Sequence, residues 1–338
     1  MKKVLWAALT MAAMSALSFA TVHAEAMLNG AGATFPYPVY SAWANEYNKV
    51  TGMKLNYQSI GSGGGIKQIT ERTVDFGASD KPLTPEELAK DNLLQFPAVI
   101  GGVVLVVNIP GVKAGELKLD SDAVCKIYMG NIKNWGDAKI RKLNPELNLP
   151  QSDITVVRRS DGSGTTSIFT DYLSGVCPAW KEKVGSGTSV NWPVGIGGKG
   201  NEGVANYSQR VANSIGYVEF AYAKQNNLAY TKLKNRGGAF VEPSFESFAD
   251  AAASGNFDAK KSFYLWLTNA PGKKAWPIAG GTFILLAKEK KESNRKVVKF
   301  FGWAFDHGDK KAKELIYVPL PKMLKDKVRA YWKSNGLQ

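Results

Sequence analysis

Apolar and polar positions along the chain alternate in two rhythms. Val39, Trp43 and Tyr47 recur every four residues behind a proline-bearing segment, which predicts an amphipathic helix. Residues 54–60 alternate as a strand does and run into Gly61-Ser62-Gly63-Gly64-Gly65, a Gly/Ser turn that opens a helix. Residues 74–79 read as a short strand that stops in a turn at Asp80, and Thr84-Pro85-Glu86-Glu87 as a helix start. Two longer apolar runs, 97–108 and 277–287, each combine a proline and a Gly-Gly pair with β-branched residues. They predict two long strands, one leaving a domain and one returning to it. Between them lie a helix over 121–128, a turn over 130–135, a strand over 154–157 that feeds a further helix, a helix over 202–212 and a strand over 215–218. The Gly197-Gly198-Lys199-Gly200 piece reads as a structural loop, with a ligand-side position as the alternative. Helices over 296–305 and 322–332 return to the first domain. Strands alternating with helices, and no internal repeat, predict an α/β chain of two lobes.

One stretch carries most of the candidate chemistry. The strand ends in Arg158-Arg159 and passes through Ser160-Asp161-Gly162-Ser163-Gly164-Thr165-Thr166 into helical spacing. A strand that turns into a helix in this way leaves unpaired amides at the helix start, where the dipole also favours an anion. Hydroxyls of Ser163, Thr165 and Thr166 add donors, and an arginine can grip an oxyanion with two parallel hydrogen bonds. The plainer alternative is a capped helix flanked by solvated arginines. Similar pairs of readings stand elsewhere. Thr34 is either an N-cap or a hydroxyl offered to a ligand together with the Phe35 amide. Ser62 lies among glycines that serve either close packing or an anion. Asp80 is either a turn carboxylate bound to nearby amides or a buried acceptor facing a ligand. The Gly61–Gly65 turn is not a phosphate loop of the G-x-x-x-x-G-K-[ST] type, because Gln68 follows Lys67.

Length and composition narrow the functions. The 338 residues suffice for two ordinary domains. Residues 1–24 have a Lys2-Lys3 start, an apolar middle and a Val22-His23-Ala24 end, the pattern of a cleaved secretory signal, so export is expected. The formal charge is +14, and +12 without the two signal lysines. Excess base suits anions, but the late lysines are interspersed with acids and no nucleic-acid motif is present. The two histidines are His23, in the signal, and His307, so a Cys/His metal cluster cannot be assembled and the shortage weakens any hydrolase that needs a histidine base. Asp161-Gly162-Ser163-Gly164-Thr165 also fails the G-x-S-x-G pattern of a serine hydrolase. Cys125 and Cys177 are an isolated pair that an exported protein could hold either as a disulfide or as two buried thiols.

Four motifs in order resemble one family. Residues 30–36 (GAGATFP), 61–65 (GSGGG), 75–80 (DFGASD) and 158–165 (RRSDGSGT) match the periplasmic phosphate-binding proteins of bacterial high-affinity phosphate ABC transporters, and the resemblance runs across the mature chain. It implies a two-lobed, hinged binding protein of type II: lobe 1 from 25–105 plus 278–338, lobe 2 from 106–277, each a sheet flanked by helices. It implies phosphate as ligand, delivery to the permease and ATPase subunits in the inner membrane, no cofactor, no metal, no catalysis and a monomer outside the transporter. Carried over residue by residue, Thr34, Phe35 and Ser62 would donate from lobe 1. Arg159 would clamp the charge, and Ser163, Gly164 and Thr165 would surround the anion from lobe 2. Asp80 would accept the ligand's proton and Asp161 would moderate Arg159. The same fold tuned to another oxyanion is the nearest alternative; an enzyme and a surface adhesion or signalling role are the others. Gly63 departs from the pattern, since close relatives carry a serine there, which predicts one donor fewer. The cysteine pair is not a mark of the family.

Overall fold

The computed structural model describes residues 27–338, so the expected signal at 1–24 lies outside the described residues. The strands are, in order, β1 (Met27–Gly32), β2 (Lys54–Ser59), β3 (Phe76–Ser79), β4 (Leu93–Asn108), β5 (Lys118–Leu119) and β6 (Thr155–Arg159). They continue with β7 (Ile196–Gly198), β8 (Ser214–Glu219), β9 (Ala229–Tyr230), β10 (Lys232–Lys234), β11 (Phe240–Val241) and β12 (Ala279–Ala287). The main sheet runs β2-β1-β3-β12-β4-β8-β6-β7, with β9 also on β4; β11-β10-β5 form a small separate sheet. The mixed α/β class expected from the pattern is what the chain adopts.

β4 joins two groups of strands. Its first part, Leu93 to Gly102, pairs antiparallel with β12. From Val103 to Asn108 it pairs instead with β8. On one side β3, β1 and β2 follow β12, with β1 parallel to both β2 and β3. On the other side β6 and β7 follow β8, all parallel. β4 is antiparallel to both neighbours but lies in the middle of the sheet with helices packed against it, which explains why every residue of β4 but Asn108 is buried and why its sequence shows no alternation. β4 begins four residues before the run expected from Pro97. Pro97 sits inside the strand because the β4/β12 register shifts between Thr282 and Phe283, a bulge that removes the need for one ladder bond.

Helices fill both faces. Val39, Tyr40, Trp43 and Tyr47 of the Tyr37–Thr51 helix are buried, and the Tyr40 ring meets Phe301 of the Lys291–His307 helix at 5.6 Å. Around β8, Tyr217 stacks on Phe169 at 4.6 Å and on Trp192 at 5.8 Å. Cys125 and Cys177 are joined by a disulfide with their Cα atoms 6.2 Å apart, which ties the Ser121–Tyr128 helix to the end of the Gly164–Val176 helix. Among the described residues no helix is long and apolar enough to cross a membrane, and no group of three His, Cys, Asp or Glu could hold a metal ion.

Candidate anion-binding site

β1, β3 and β6 all end at one place, as parallel strands of α/β sheets do at their ligand crevices. β1 delivers Thr34 and Phe35, β3 delivers Asp80, and β6 delivers Arg159 and the turn behind it. Three helices also begin there: Ser62–Thr70, Gly164–Val176 and Gly200–Arg210. The two Gly-rich turns touch, with the Gly63 amide donating to the Gly162 carbonyl at 2.9 Å. A Cβ on Gly63 would lie 3.1 Å from the Gly162 Cα, so glycine there permits backbone contact. Gly164 is tighter: a Cβ would lie 2.3 Å from Ser62 Oγ and 2.5 Å from Asp80 Oδ2. The structure therefore brings Thr34, Phe35, Ser62, Asp80, Arg159, Ser163, Gly164 and Thr165 into one buried cluster.

Arg159 is the only cation in the cluster. Its side chain is 1% exposed and forked onto Asp161, Nε to Oδ1 at 2.8 Å and Nη2 to Oδ2 at 2.5 Å. Nη1 reaches Thr165 Oγ1 at 3.4 Å, which leaves two of the five guanidinium N–H groups. Burial pushes Asp161 up, but the Arg159 hydrogen bonds and charge and the Gly200 amide outweigh it and hold the carboxyl below its ordinary range.

Asp80 behaves oppositely. It is fully buried, and burial pushes it from 3.8 to about 7, against the Thr282 hydrogen bond, the Arg159 charge and Ser62. Its Oδ1 accepts from the Thr282 hydroxyl at 2.6 Å. Its Oδ2 has no hydrogen-bond partner among the described residues and lies against the start of the Gly164–Val176 helix. A buried carboxylate oxygen without a donor is costly, so its orientation toward the donor cluster needs a chemical reason.

The other groups are donors. The amides of Phe35, Gly164 and Thr165 donate to no protein acceptor among the described residues. Ser62 Oγ accepts from the Asp80 amide at 3.1 Å, and Ser163 Oγ from the Thr166 amide at 3.0 Å. Ser163 is thus the N-cap of its helix and still keeps its hydroxyl proton, so the capped-helix and anion readings hold together. Two plainer readings are corrected. Thr34 caps nothing: the Tyr37–Thr51 helix is preceded by Pro36 with no side-chain cap, and Thr34 Oγ1 instead accepts from Asn201. Asp80 is not a turn carboxylate on nearby amides, since its partner Thr282 lies on β12. The 197–200 piece is not a loop: Gly197 and Gly198 end β7, and Gly200, with φ +70°, begins a helix and donates its amide to Asp161 Oδ1 at 3.0 Å.

Sequence reasoning missed Asn201, Thr282, Glu219 and Tyr217. Thr282 had a signal, being the lone hydroxyl within an apolar strand. Asn201 had a weaker one, a polar residue behind a glycine at a helix start. Glu219, wholly buried and raised well above the ordinary range by burial, had none beyond its place at the end of β8.

Comparison with known proteins sets this geometry in a family. A family model described as a PBP superfamily domain matches residues 20–307. The phosphate-binding protein PstS of Pasteurella multocida is 53% identical over 320 residues, 94% of this chain and 93% of that one. The phosphate-binding protein PstS of Haemophilus influenzae is 52% identical over 310 residues, 91% of this chain and 93% of that one. Among solved structures, a high affinity periplasmic phosphate-binding protein bound with phosphate shares the fold at a TM-score of 0.70 and 21% identity, covering 90% of this chain and 93% of that one. A phosphate-binding protein from Stenotrophomonas maltophilia does so at 0.68 and 22%, covering 90% and 93%. The chain accordingly belongs to the PBP superfamily and, within it, to the family of the PstS phosphate-binding proteins.

Proposed function

We propose that the protein captures inorganic phosphate between two lobes, 25–105 with 278–338 and 106–277, and hands it in the periplasm to the permease and ATPase of an ABC transporter. The change of partners along β4 at Gly102 and Val103 supports the lobe division. The close relatives, both phosphate-binding proteins by name, support the ligand; structures of the same fold described as a phosphate ABC transporter substrate-binding protein and as a periplasmic phosphate-binding protein support the transporter and the compartment. Amides of Phe35, Gly164 and Thr165, hydroxyls of Thr34, Ser62, Ser163 and Thr165, and two N–H groups of Arg159 would satisfy the anion's oxygens. Asp161 takes up much of the Arg159 charge, so the ligand is held chiefly by neutral dipoles.

The unpartnered Oδ2 of Asp80 carries this reading. Phosphate near neutral pH keeps a proton and can donate it to that oxygen. Sulfate has none, and its oxygen would face a buried carboxylate. Buried mismatches of this kind discriminate by ~10⁴ or more. Asp80→Asn replaces the acceptor with an amide donor while keeping the shape. Binding of phosphate and of sulfate to that variant, compared with the parent protein, tests the reading. The ratio is expected to collapse, and an unchanged ratio would overturn it.

A further inference from the structure

The reading above counts the hydroxyls of Thr34 and Thr165 as donors, but a hydroxyl can equally accept. Their behaviour traces to Asn201, the second residue of the Gly200–Arg210 helix, which is wholly buried. Its Nδ2 donates to Thr34 Oγ1 at 2.6 Å and to Thr165 Oγ1 at 3.0 Å. Its backbone amide also donates to Thr34 Oγ1, at 3.1 Å. The amide orientation is fixed, because Oδ1 takes the Glu219 backbone N–H at 2.8 Å and that group can only donate. Both Nδ2 protons are therefore committed to the two threonines.

The two hydroxyl oxygens are filled in consequence. A hydroxyl has two acceptor lone pairs and one proton. Thr34 Oγ1 accepts twice from Asn201; Thr165 Oγ1 accepts once from Asn201 and once from Arg159 Nη1 at 3.4 Å. Each has only its proton left, and neither proton has a protein acceptor among the described residues. Thr34 follows β1 and Thr165 is the second residue of the Gly164–Val176 helix behind β6, so a single side-chain amide holds donors from both sides of the cluster.

We propose that Asn201 is a positioning residue for anion recognition: by occupying the acceptor sites of Thr34 and Thr165 it commits both hydroxyls to donate to the bound anion. The inference rests on the phosphate reading of this site. It assigns Asn201 to specificity although it makes no contact of its own with the ligand. With the lone pairs filled, the hydroxyls present only protons, and a ligand group that must itself donate finds no partner there. Of the two threonines and Asp80, only the unpartnered Oδ2 of Asp80 is then left to accept a ligand proton. Asn201 and Asp80 thus define complementary parts of one pattern, donors toward the bare oxygens and an acceptor toward the protonated one.

A double-mutant cycle with inorganic phosphate tests this by calorimetry on ligand-free protein. Asn201→Ala frees the lone pairs of both threonines and is expected to weaken binding by about 10- to 100-fold, the value of a charge-assisted hydrogen bond or two. In a Thr34→Val background one of the affected hydroxyls is gone, so the same substitution should cost at least about threefold less. Asn201 serving only as a packing or closure residue would cost the same factor in both backgrounds, and that result, including a double variant too weak to bind at millimolar phosphate, would overturn the proposal. If Asn201→Ala does not melt cooperatively, Asn201→Asp carries the cycle instead. It keeps the acceptor for the Glu219 amide and puts an acceptor where Nδ2 donated, which draws the threonine protons away from the ligand; its penalty must likewise shrink in the Thr34→Val background. Parent protein that takes up no phosphate removes the phosphate reading and this inference with it. Parent protein that binds while the cycle is additive refutes the inference alone.

Discussion

Asp80→Asn should stabilise the ligand-free protein, and by an amount that grows with pH. The folded protein holds the Asp80 carboxyl at about 7, against 3.8 for an ordinary aspartate. Between those values the folded state keeps a proton that the unfolded chain releases, so stability falls as pH rises through the window and levels off above it. The full difference corresponds to about 4 kcal/mol, at about 1.4 kcal/mol per unit. Integrated between pH 5 and pH 8, Asp80 alone should account for about 3 kcal/mol. Asparagine keeps an oxygen for the Thr282 hydroxyl and carries no charge, so it escapes this loss. Glu219, also buried and raised, feels the Asp80 charge and titrates in both proteins, and the comparison of variant with parent largely cancels it. The assay is urea unfolding of phosphate-free protein at both pH values, because bound ligand would add its own stabilisation. With a slope near 3 kcal/mol/M, the variant's midpoint should gain about 1 M more over the parent at pH 8 than at pH 5. An equal gain at the two pH values would refute the claim that burial raises the Asp80 carboxyl.

Three further outcomes follow from the geometry. Arg159→Lys keeps the charge but loses the fork, and phosphate affinity should fall by about 100-fold in a calorimetric titration. Gly164→Ala places a methyl group 2.3 Å from Ser62 Oγ and 2.5 Å from Asp80 Oδ2, which this arrangement cannot accept without moving. Affinity should drop by at least about 100-fold in a calorimetric titration, and the ligand-free melting temperature should fall as well, since the same crowding strains the folded protein. Replacing both Cys125 and Cys177 by Ser opens a link between positions 52 residues apart. The chain-entropy relation gives about 4 kcal/mol for that loop, so the unfolding free energy should fall by about that amount with phosphate stoichiometry intact.

Local patterns were legible where one residue type answered one physical need. The i, i+4 spacing of Val39, Trp43 and Tyr47 located a helix because its inward face packs on aromatic rings. The two apolar runs located β4 and β12 because strands buried on both faces carry few polar residues. The start of β4 was hidden because Pro97 suggests an end, whereas the bulge opposite it lets the strand pass through. At the site, Arg159, Ser163 and Thr165 stand within one turn and announced themselves together. Asn201 and Thr282 did not, because their meaning lies in partners 167 and 202 residues away. Asp80 was legible as a possible buried acceptor, but its raised pKa was not, since that comes from burial by segments distant in sequence.

The account rests on a cluster of donors with one buried acceptor, and titration of phosphate-free protein with phosphate and with sulfate near pH 7.5 tests it most directly. One-to-one phosphate binding with no measurable sulfate heat is the predicted result. Sulfate binding comparable to that of phosphate would contradict the role given to Asp80, and no heat with phosphate would contradict the site itself.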